Sequence, residues 1–209
     1  MKVKICGLTN LCDYQDAVEL GADYTGFIFY SQSPRFVRLH QVEEMIDRAP
    51  KQKHQRVGVF VNESIDTVRE IYRRAKLDIL QLHGDESPDY VRQLALPCWK
   101  VIRVKDRHSL EALEQYDCDT FLLDTYKKGQ YGGTGSSFAL DLVREAVKSG
   151  KHIIVAGGIS VHNIETLLKL ACPLYGVDVS SSVEQYPGKK SREKMQRFFE
   201  KFNPMAWGT

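Results

Sequence analysis

Four polar side chains stand at or near the ends of apparent β-strands, where they could carry out acid–base chemistry. Cys6 closes the stretch Val-Lys-Ile-Cys, Asp124 closes Phe-Leu-Leu-Asp, and His83 and Asp178 hold similar places in two further stretches. A carboxyl group in a cleft can donate a proton, and a thiolate can accept one or act as a nucleophile. Either role for Cys6 calls for a lowered pKa; the alternative is a small buried thiol. Asp124 could instead cap a loop.

Further polar and small residues follow the same strands. Arg35, after the second strand, could bind a carboxylate or phosphate through two parallel hydrogen bonds, or it could be a solvated loop arginine. Gln81 shares a strand face with His83, and both could instead be hydrogen-bonded core groups. Gly157-Gly158 and Ser180-Ser181 follow the last two strands, where many barrels bind phosphate through backbone N–H groups. Tight turns are the alternative.

The segment Lys127–Phe138 contains four glycines. Such a loop suits a mobile lid or the close approach of backbone to a ligand. It lacks the Gly-Lys-Ser/Thr ending of a nucleotide P-loop and does not match the dinucleotide-binding pattern.

The elements that must position these residues alternate between strand and helix along the chain. The predicted strands are Val3–Cys6, Tyr24–Tyr30, Arg56–Val61, Ile79–His83, Trp99–Val104, Thr120–Thr125, His152–Ala156 and Gly176–Ser180. The predicted helices are Asp13–Leu20, Val42–Arg48, Ser64–Ala75, Tyr90–Leu94, Leu110–Tyr116, Phe138–Lys148, Ile164–Leu170 and Arg192–Phe202. Eight such repeats predict a single-domain (β/α)8 TIM barrel over residues 1–209, with a doubly wound open sheet as the competing fold.

Alternation within the strands indicates which side chains face the barrel interior. In the first strand Val3 and Ile5 share one face, and Lys4 and Cys6 share the other. A parallel sheet buried on both faces would be apolar throughout, whereas here polar groups recur near the strand ends. These groups are therefore expected to converge at the C-terminal mouth of a barrel, where barrel enzymes place their active sites.

Composition excludes several other classes of protein. The 209 residues are 43% hydrophobic and 27% charged, with a net charge of +2, which argues against disorder, nucleic-acid binding and anionic membranes. No apolar run approaches the roughly 20 residues that span a bilayer. The five cysteines show no zinc or CxxC spacing, so reduced thiols and a cytoplasmic location are expected. We interpret four of them as structural: Cys12, Cys98, Cys118 and Cys172.

A series of short motifs covers almost the whole chain in a fixed order. The series is Lys4–Thr9, Gly26–Phe29, Ser33–Arg35, Gln81–Gly84, Leu123-Asp124, Gly132–Gly135, Ala156–Ile159 with Asn163, Asp178–Ser181 and Pro187–Lys190. It resembles the phosphoribosylanthranilate isomerase family of tryptophan biosynthesis.

The resemblance implies an Amadori rearrangement of N-(5-phosphoribosyl)anthranilate to 1-(2-carboxyphenylamino)-1-deoxyribulose 5-phosphate. By the family pattern, Cys6 is the general base at C2′, Asp124 the general acid at the ribose ring oxygen, and Arg35 the ligand of the anthranilate carboxylate. Further substrate contacts are expected from Gln81, His83 and Asp178, and phosphate contacts from Gly157, Gly158, Ser180 and Ser181. Neither a cofactor nor a metal is required. The expected partner is a small phosphosugar, without nucleic acid or membrane, bound by a monomer or homodimer.

Two departures from the family pattern concern substrate loops. Ser182 stands where the family has glycine after Ser-Ser, so a requirement for positive φ there would strain the serine. Ser31-Gln32 replaces a frequent Pro-Lys and could alter loop stiffness.

Rival functions fit less well. The related sugar isomerase of histidine biosynthesis has an aspartate in place of Cys6, and indole-glycerol-phosphate synthase needs a catalytic lysine, whereas Lys4 lies deeper. A non-catalytic phosphosugar-binding barrel would not need both Cys6 and Asp124. A redox sensor based on Cys6 would need a nearby resolving thiol, and Cys12 is expected on a helix.

Overall fold

A computed structural model describes residues 1–49, 53–124, 137–170 and 172–202. The strands of its main sheet are β1 Lys2–Cys6, β2 Tyr24–Ile28, β3 Gln55–Phe60, β4 Ile79–Leu82, β5 Cys98–Arg103, β6 Thr120–Asp124, β7 His152–Ala156 and β8 Gly176–Val179. The helices are α1 Leu11–Glu19, α2 Leu39–Arg48, α3 Ile65–Arg74, α4 Pro88–Leu94, α5 Ala112–Gln115, α6 Ser137–Val147, α7 Ile164–Leu168 and α8 Arg192–Phe202. Each predicted strand and helix has its counterpart within a few residues.

The eight strands form a closed parallel barrel in sequence order, with β8 pairing back onto β1. The predicted (β/α)8 barrel is therefore confirmed, and the open-sheet alternative is wrong. Closure brings the C-terminal ends of all eight strands to one mouth, where the loops that follow them meet.

The strand register confirms the predicted division into inner and outer faces. Lys4 pairs with Tyr24 on one side and with Asp178 on the other, so these three side chains share the inner face. The outward residues Val3 and Ile5 belong to the large core between strands and helices. A smaller apolar cluster fills the barrel interior: Tyr24, Val57, Ile79, Trp99, Val101, Leu122, Ile154 and Ala156. The interior is thus solid in its middle and polar at its mouth.

Side-chain caps fix the starts of several helices. Asn10, Ser64 and Ser87 accept hydrogen bonds from backbone N–H groups in the first turns of α1, α3 and α4. The predicted helix Leu110–Tyr116 is instead a 3-10 helix, Arg107–Glu111, that continues into α5.

A two-stranded antiparallel hairpin was missed by the sequence interpretation. Its strands, β9 Glu184–Tyr186 and β10 Lys189–Lys190, lie between β8 and α8. The hydroxyl of Thr9 donates to the carbonyl of Gly188 at 2.5 Å, and the backbone N–H of Lys190 donates to Asp13 at 2.6 Å. These bonds hold the hairpin against the loop that follows β1 and against the first turn of α1.

Candidate active site

Cys6 is the last residue of β1, at the mouth of the barrel, and only 5% of its surface is exposed. Glycines make room around it. A Cβ at Gly26 would lie 2.9 Å from Cys6 Sγ and 3.0 Å from Lys4 Cε, closer than side chains pack. Gly7 has φ +74°, and a Cβ there would lie 2.6 Å from Arg35 Cδ. Glycine at these two positions lets the thiol, the ammonium and the guanidinium lie side by side.

Beneath Cys6, Lys4 and Asp178 form a buried ion pair across the β1–β8 seam. Lys4 Nζ lies 2.9 Å from Asp178 Oδ1, and the Lys4 side chain is fully buried. Burial alone would lower the pKa of Lys4, but Asp178 and the Cys6 sulfur outweigh it, so the pKa lies above its ordinary value. Asp178, predicted to contact substrate, is thus engaged by Lys4 directly below the thiol.

Burial raises the pKa of the Cys6 thiol above its ordinary value. Lys4 and Lys190 favour the thiolate, but they offset desolvation only in part, and Asp178 adds to the rise. The expectation that a functional thiol here would have a lowered pKa is therefore not met, because the site also excludes water. In this state the thiol keeps its proton at neutral pH.

A network centred on Glu184 joins the hairpin to the mouth of the barrel. Glu184 accepts from Arg35 Nε at 2.8 Å and Nη2 at 2.6 Å, and from Lys190 Nζ at 2.8 Å. Burial would raise the pKa of Glu184, but these two cations hold it below its ordinary value. Burial lowers the pKa of Lys190, and Glu184 offsets only part of that effect. The carboxylate therefore orients both cations beside Cys6.

Arg35, predicted to bind a substrate carboxylate, is held in this network rather than free in solvent. The hydrogen bonds from Nε and Nη2 to Glu184 raise its pKa. Within the described part of the chain, Arg35 Nη1 has no hydrogen-bond partner. One edge of the guanidinium thus remains available to an anion.

Asp124 lies at the end of β6 and is in reach of His83. The two side chains are each a little over a quarter exposed, and His83 Nε2 lies 3.6 Å from Asp124 Oδ2. On its other side, His83 Nδ1 lies 3.1 Å from Gln81 Nε2. Gln81 Oε1 is buried and has no hydrogen-bond partner among the described residues. The structure therefore brings Gln81, His83 and Asp124 together along one wall of the mouth.

The two predicted phosphate loops lie next to each other. Gly157 and Gly158 follow β7 with φ of +86° and +79°, and Ser181 begins a short 3-10 helix after β8. The hydroxyl of Ser180 donates to the carbonyl of Cys6 at 3.1 Å. These loops adjoin the thiol because β7 and β8 precede β1 around the closed ring.

Ser182 is not strained, contrary to the possibility raised by its sequence. It lies in the 3-10 helix Ser181–Val183 and is absent from the described non-glycine residues with positive φ. Its hydroxyl donates to the carbonyl of Ile159 at 2.6 Å. The serine thus ties the β8 loop to the β7 loop, which a glycine could not do.

Sequence reasoning missed Glu184 and Lys190 as members of the site. The motif Pro187–Lys190 had contributed to the family resemblance without receiving a role. The spacing of this motif does not indicate that Lys190 lies near Cys6, because the hairpin that places Lys190 there is not evident in the sequence. The predicted glycine-rich loop falls mainly on residues 125–136, which lie outside the described residues.

The comparisons with known proteins agree with this geometry. A family model for N-(5'phosphoribosyl)anthranilate (PRA) isomerase matches residues 3–201. The chain belongs to the PRA isomerase family. A relative from Trichlorobacter lovleyi, named N-(5'-phosphoribosyl)anthranilate isomerase, is 41% identical over 198 residues, covering 95% of this chain and 96% of the relative.

Solved structures of the PRA isomerase family share the fold. A PRA isomerase in complex with reduced 1-(o-carboxyphenylamino)-1-deoxyribulose 5-phosphate superposes with a TM-score of 0.86 at 30% identity, covering 98% of this chain and 100% of that one. A structure of monomers of the dimeric Thermotoga maritima enzyme has a TM-score of 0.84 at 31% identity, with the same coverage. Every predicted site residue lies within the matched region. No helix among the described residues has the length and apolar character needed to cross a bilayer.

Proposed function

We propose that this protein isomerises N-(5-phosphoribosyl)anthranilate to 1-(2-carboxyphenylamino)-1-deoxyribulose 5-phosphate, as a step of tryptophan biosynthesis. We assign the general base and the general acid from one observation: Cys6 on β1 and Asp124 on β6 both lie at the same mouth of the barrel. An acid and a base on separated strands can flank one sugar between them. Residues 1–209 would act as one catalytic unit in the cytoplasm, as a monomer or a homodimer.

Two proton transfers account for the reaction. Asp124 donates a proton to the ribose ring oxygen as the C1′–O bond breaks, which leaves a protonated Schiff base between C1′ and the anthranilate nitrogen. Cys6 then removes the C2′ proton, and the C–H electron pair forms the C1′=C2′ bond of an enolamine. The enolamine gains a proton at C1′ and loses one from the C2′ hydroxyl, which gives the ketose. Substrate and product have the same composition, so no redox partner is consumed.

A thiol with a raised pKa can still serve as this base. The thiolate is a minor species at neutral pH, but a base of higher pKa is a stronger proton acceptor in the transition state. Three cations surround the sulfur, Lys4, Lys190 and Arg35, against the two carboxylates Asp178 and Glu184. The surplus positive charge stabilises the thiolate when it forms.

The two anionic ends of the substrate match two separate parts of the mouth. The anthranilate carboxylate would bind the Nη1 edge of Arg35, whose other nitrogens are fixed by Glu184. The phosphate would bind the adjoining loops at Gly157, Gly158, Ser180 and Ser181. The relative crystallised with reduced 1-(o-carboxyphenylamino)-1-deoxyribulose 5-phosphate holds a ligand that carries both anionic groups. Gln81 and His83 would then contact the sugar beside Asp124.

Replacing Arg35 with alanine is expected to raise KM about ten- to a hundredfold, with a smaller change in kcat. The reason is that a charge-assisted hydrogen bond to a substrate carboxylate contributes about 1.5–3 kcal/mol to binding, while Arg35 affects the proton transfers only indirectly, as one of the charges around Cys6. Steady-state kinetics measures both constants, and the exposed Arg48→Ala is the matched control. An unchanged KM would remove Arg35 from the carboxylate site.

The pH dependence of thiol alkylation is expected to report the raised pKa of Cys6. The rate of Cys6 modification by iodoacetamide should still rise with pH at pH 9, because the thiolate fraction of a thiol with a raised pKa is still increasing there. The rate for an ordinary thiol, with a pKa near 8.5, would already be levelling off at that pH. Peptide mass spectrometry follows Cys6, with the exposed Cys12 as an internal reference. A plateau of the Cys6 rate below pH 8 would contradict a raised pKa.

Complementation tests the proposed function in a cell. A bacterial strain that lacks the isomerase and requires tryptophan should grow without tryptophan when it expresses this protein, and should not grow when it expresses Cys6→Ser. A strain that requires histidine for lack of the related sugar isomerase is tested in parallel. Failure to grow despite folded, expressed protein would overturn the proposal, and growth of the second strain alone would assign the rival reaction.

A further inference from the structure

Two cysteines meet at the end of the barrel opposite the candidate active site. Cys98 begins β5, and Cys118 lies two residues before β6, so both are at the N-terminal ends of neighbouring strands. Their Sγ atoms are 3.7 Å apart. Cys118 is buried, and Cys98 is only partly buried. The sequence interpretation assigned both to structural roles, and the acid–base mechanism uses neither.

The environment makes the two thiols unequal. The hydrogen bond from Cys118 lowers the pKa of Cys98, with help from the nearby Lys100, whereas the same contact and burial raise the pKa of Cys118. Cys98, the less buried residue of the pair, is therefore also the one whose thiol more readily becomes a thiolate. Such an arrangement is typical of a reactive thiol beside a resolving thiol.

We propose that Cys98 and Cys118 form an oxidation site that a hydroperoxide converts to a disulfide. The Cys98 thiolate attacks the O–O bond, takes one hydroxyl as a sulfenic acid and releases water or an alcohol. The Cys118 thiol then attacks the Cys98 sulfur, and the hydroxyl of the sulfenic acid leaves with the Cys118 proton as water. Two thiols lose two electrons and two protons, and one hydroperoxide is reduced.

The geometry permits this bond with little movement. A disulfide has sulfur atoms about 2.05 Å apart, so the two side chains must approach by less than about 2 Å in total. The bond would enclose residues 98–118, which contain β5, the 3-10 helix and α5. Because both cysteines lie at the N-terminal ends of their strands, away from Cys6, the disulfide is expected to stabilise the barrel without blocking the active site.

Thiol counting with mass spectrometry tests the proposal. After exposure of the full chain to a small excess of hydrogen peroxide, the five thiols should fall to three, and a Cys98–Cys118 cross-linked peptide should appear. Dithiothreitol should restore five thiols. The midpoint of thermal unfolding should rise by several degrees in the oxidised protein, since a cross-link restrains the unfolded chain. Retention of five thiols, or a disulfide that involves another cysteine, would overturn the proposal.

Two variants separate the roles of the sulfurs. Cys118→Ser should accumulate a sulfenic acid at Cys98 that dimedone traps, and Cys98→Ser should give no dimedone adduct at Cys118. The opposite pattern of adducts would contradict the assigned roles. The wild-type peptide map does not depend on either variant folding normally.

Discussion

Replacing Cys6 with serine is expected to lower kcat by about 10³-fold or more and to leave the fold intact. A serine hydroxyl is far too weakly acidic to supply the base that removes the C2′ proton, and general-base catalysis contributes about 10²–10⁴-fold. Serine is close to cysteine in volume, so packing against Gly26 and Lys4 is retained. The variant would therefore lack the general base while keeping a side chain of nearly the same volume.

Steady-state kinetics and circular dichroism check this result together. Cys12→Ser is the matched control, because Cys12 is exposed on α1 and lies outside the proposed machinery. The control should keep its kcat. A folded Cys6→Ser protein with near-normal kcat would remove the thiol from the mechanism.

Replacing Asp124 with asparagine is expected to lower kcat by about 10²–10⁴-fold, with a small change in KM. An amide has nearly the shape of a carboxyl group, but it cannot give up a proton to the ring oxygen at neutral pH. Because Asp124 lies beside His83 at the mouth rather than in the core, the substitution should not unfold the protein.

The matched control for Asp124 lies at the other end of the same strand. Asp119 is exposed and precedes β6, so Asp119→Asn changes an identical side chain away from the mouth. It should retain full turnover. Activity near that of the wild type in a folded Asp124→Asn protein would exclude Asp124 as the acid.

The barrel was predictable because its signals are local. Alternation along β1 separates Val3 and Ile5 from Lys4 and Cys6, and the same pattern recurs in β4, β6 and β8. The alternation within each strand indicates which of its residues face the barrel interior. Closure of the barrel then brings the polar strand ends together. The fold and the position of the candidate residues at its mouth follow from these short patterns.

The network around the thiol was not predictable because its members are distant in sequence. Arg35 and Glu184 are 149 positions apart and meet only through a hairpin whose two strands have three and two residues. The pKa of Cys6 depends on opposing effects of burial and nearby charge, whose balance a sequence does not show. Cys98 and Cys118 likewise approach only because β5 and β6 are paired.

The most direct test of the central claim is the rate at which phosphoribosylanthranilate fluorescence is lost, with the substrate made in situ, for the wild type and Cys6→Ser. The account predicts rapid loss with the wild type and a rate close to that without enzyme for the variant. Rapid loss with both proteins would support the isomerase activity but contradict the role of Cys6 as the general base. Absence of loss with folded wild-type protein would contradict the proposed reaction itself.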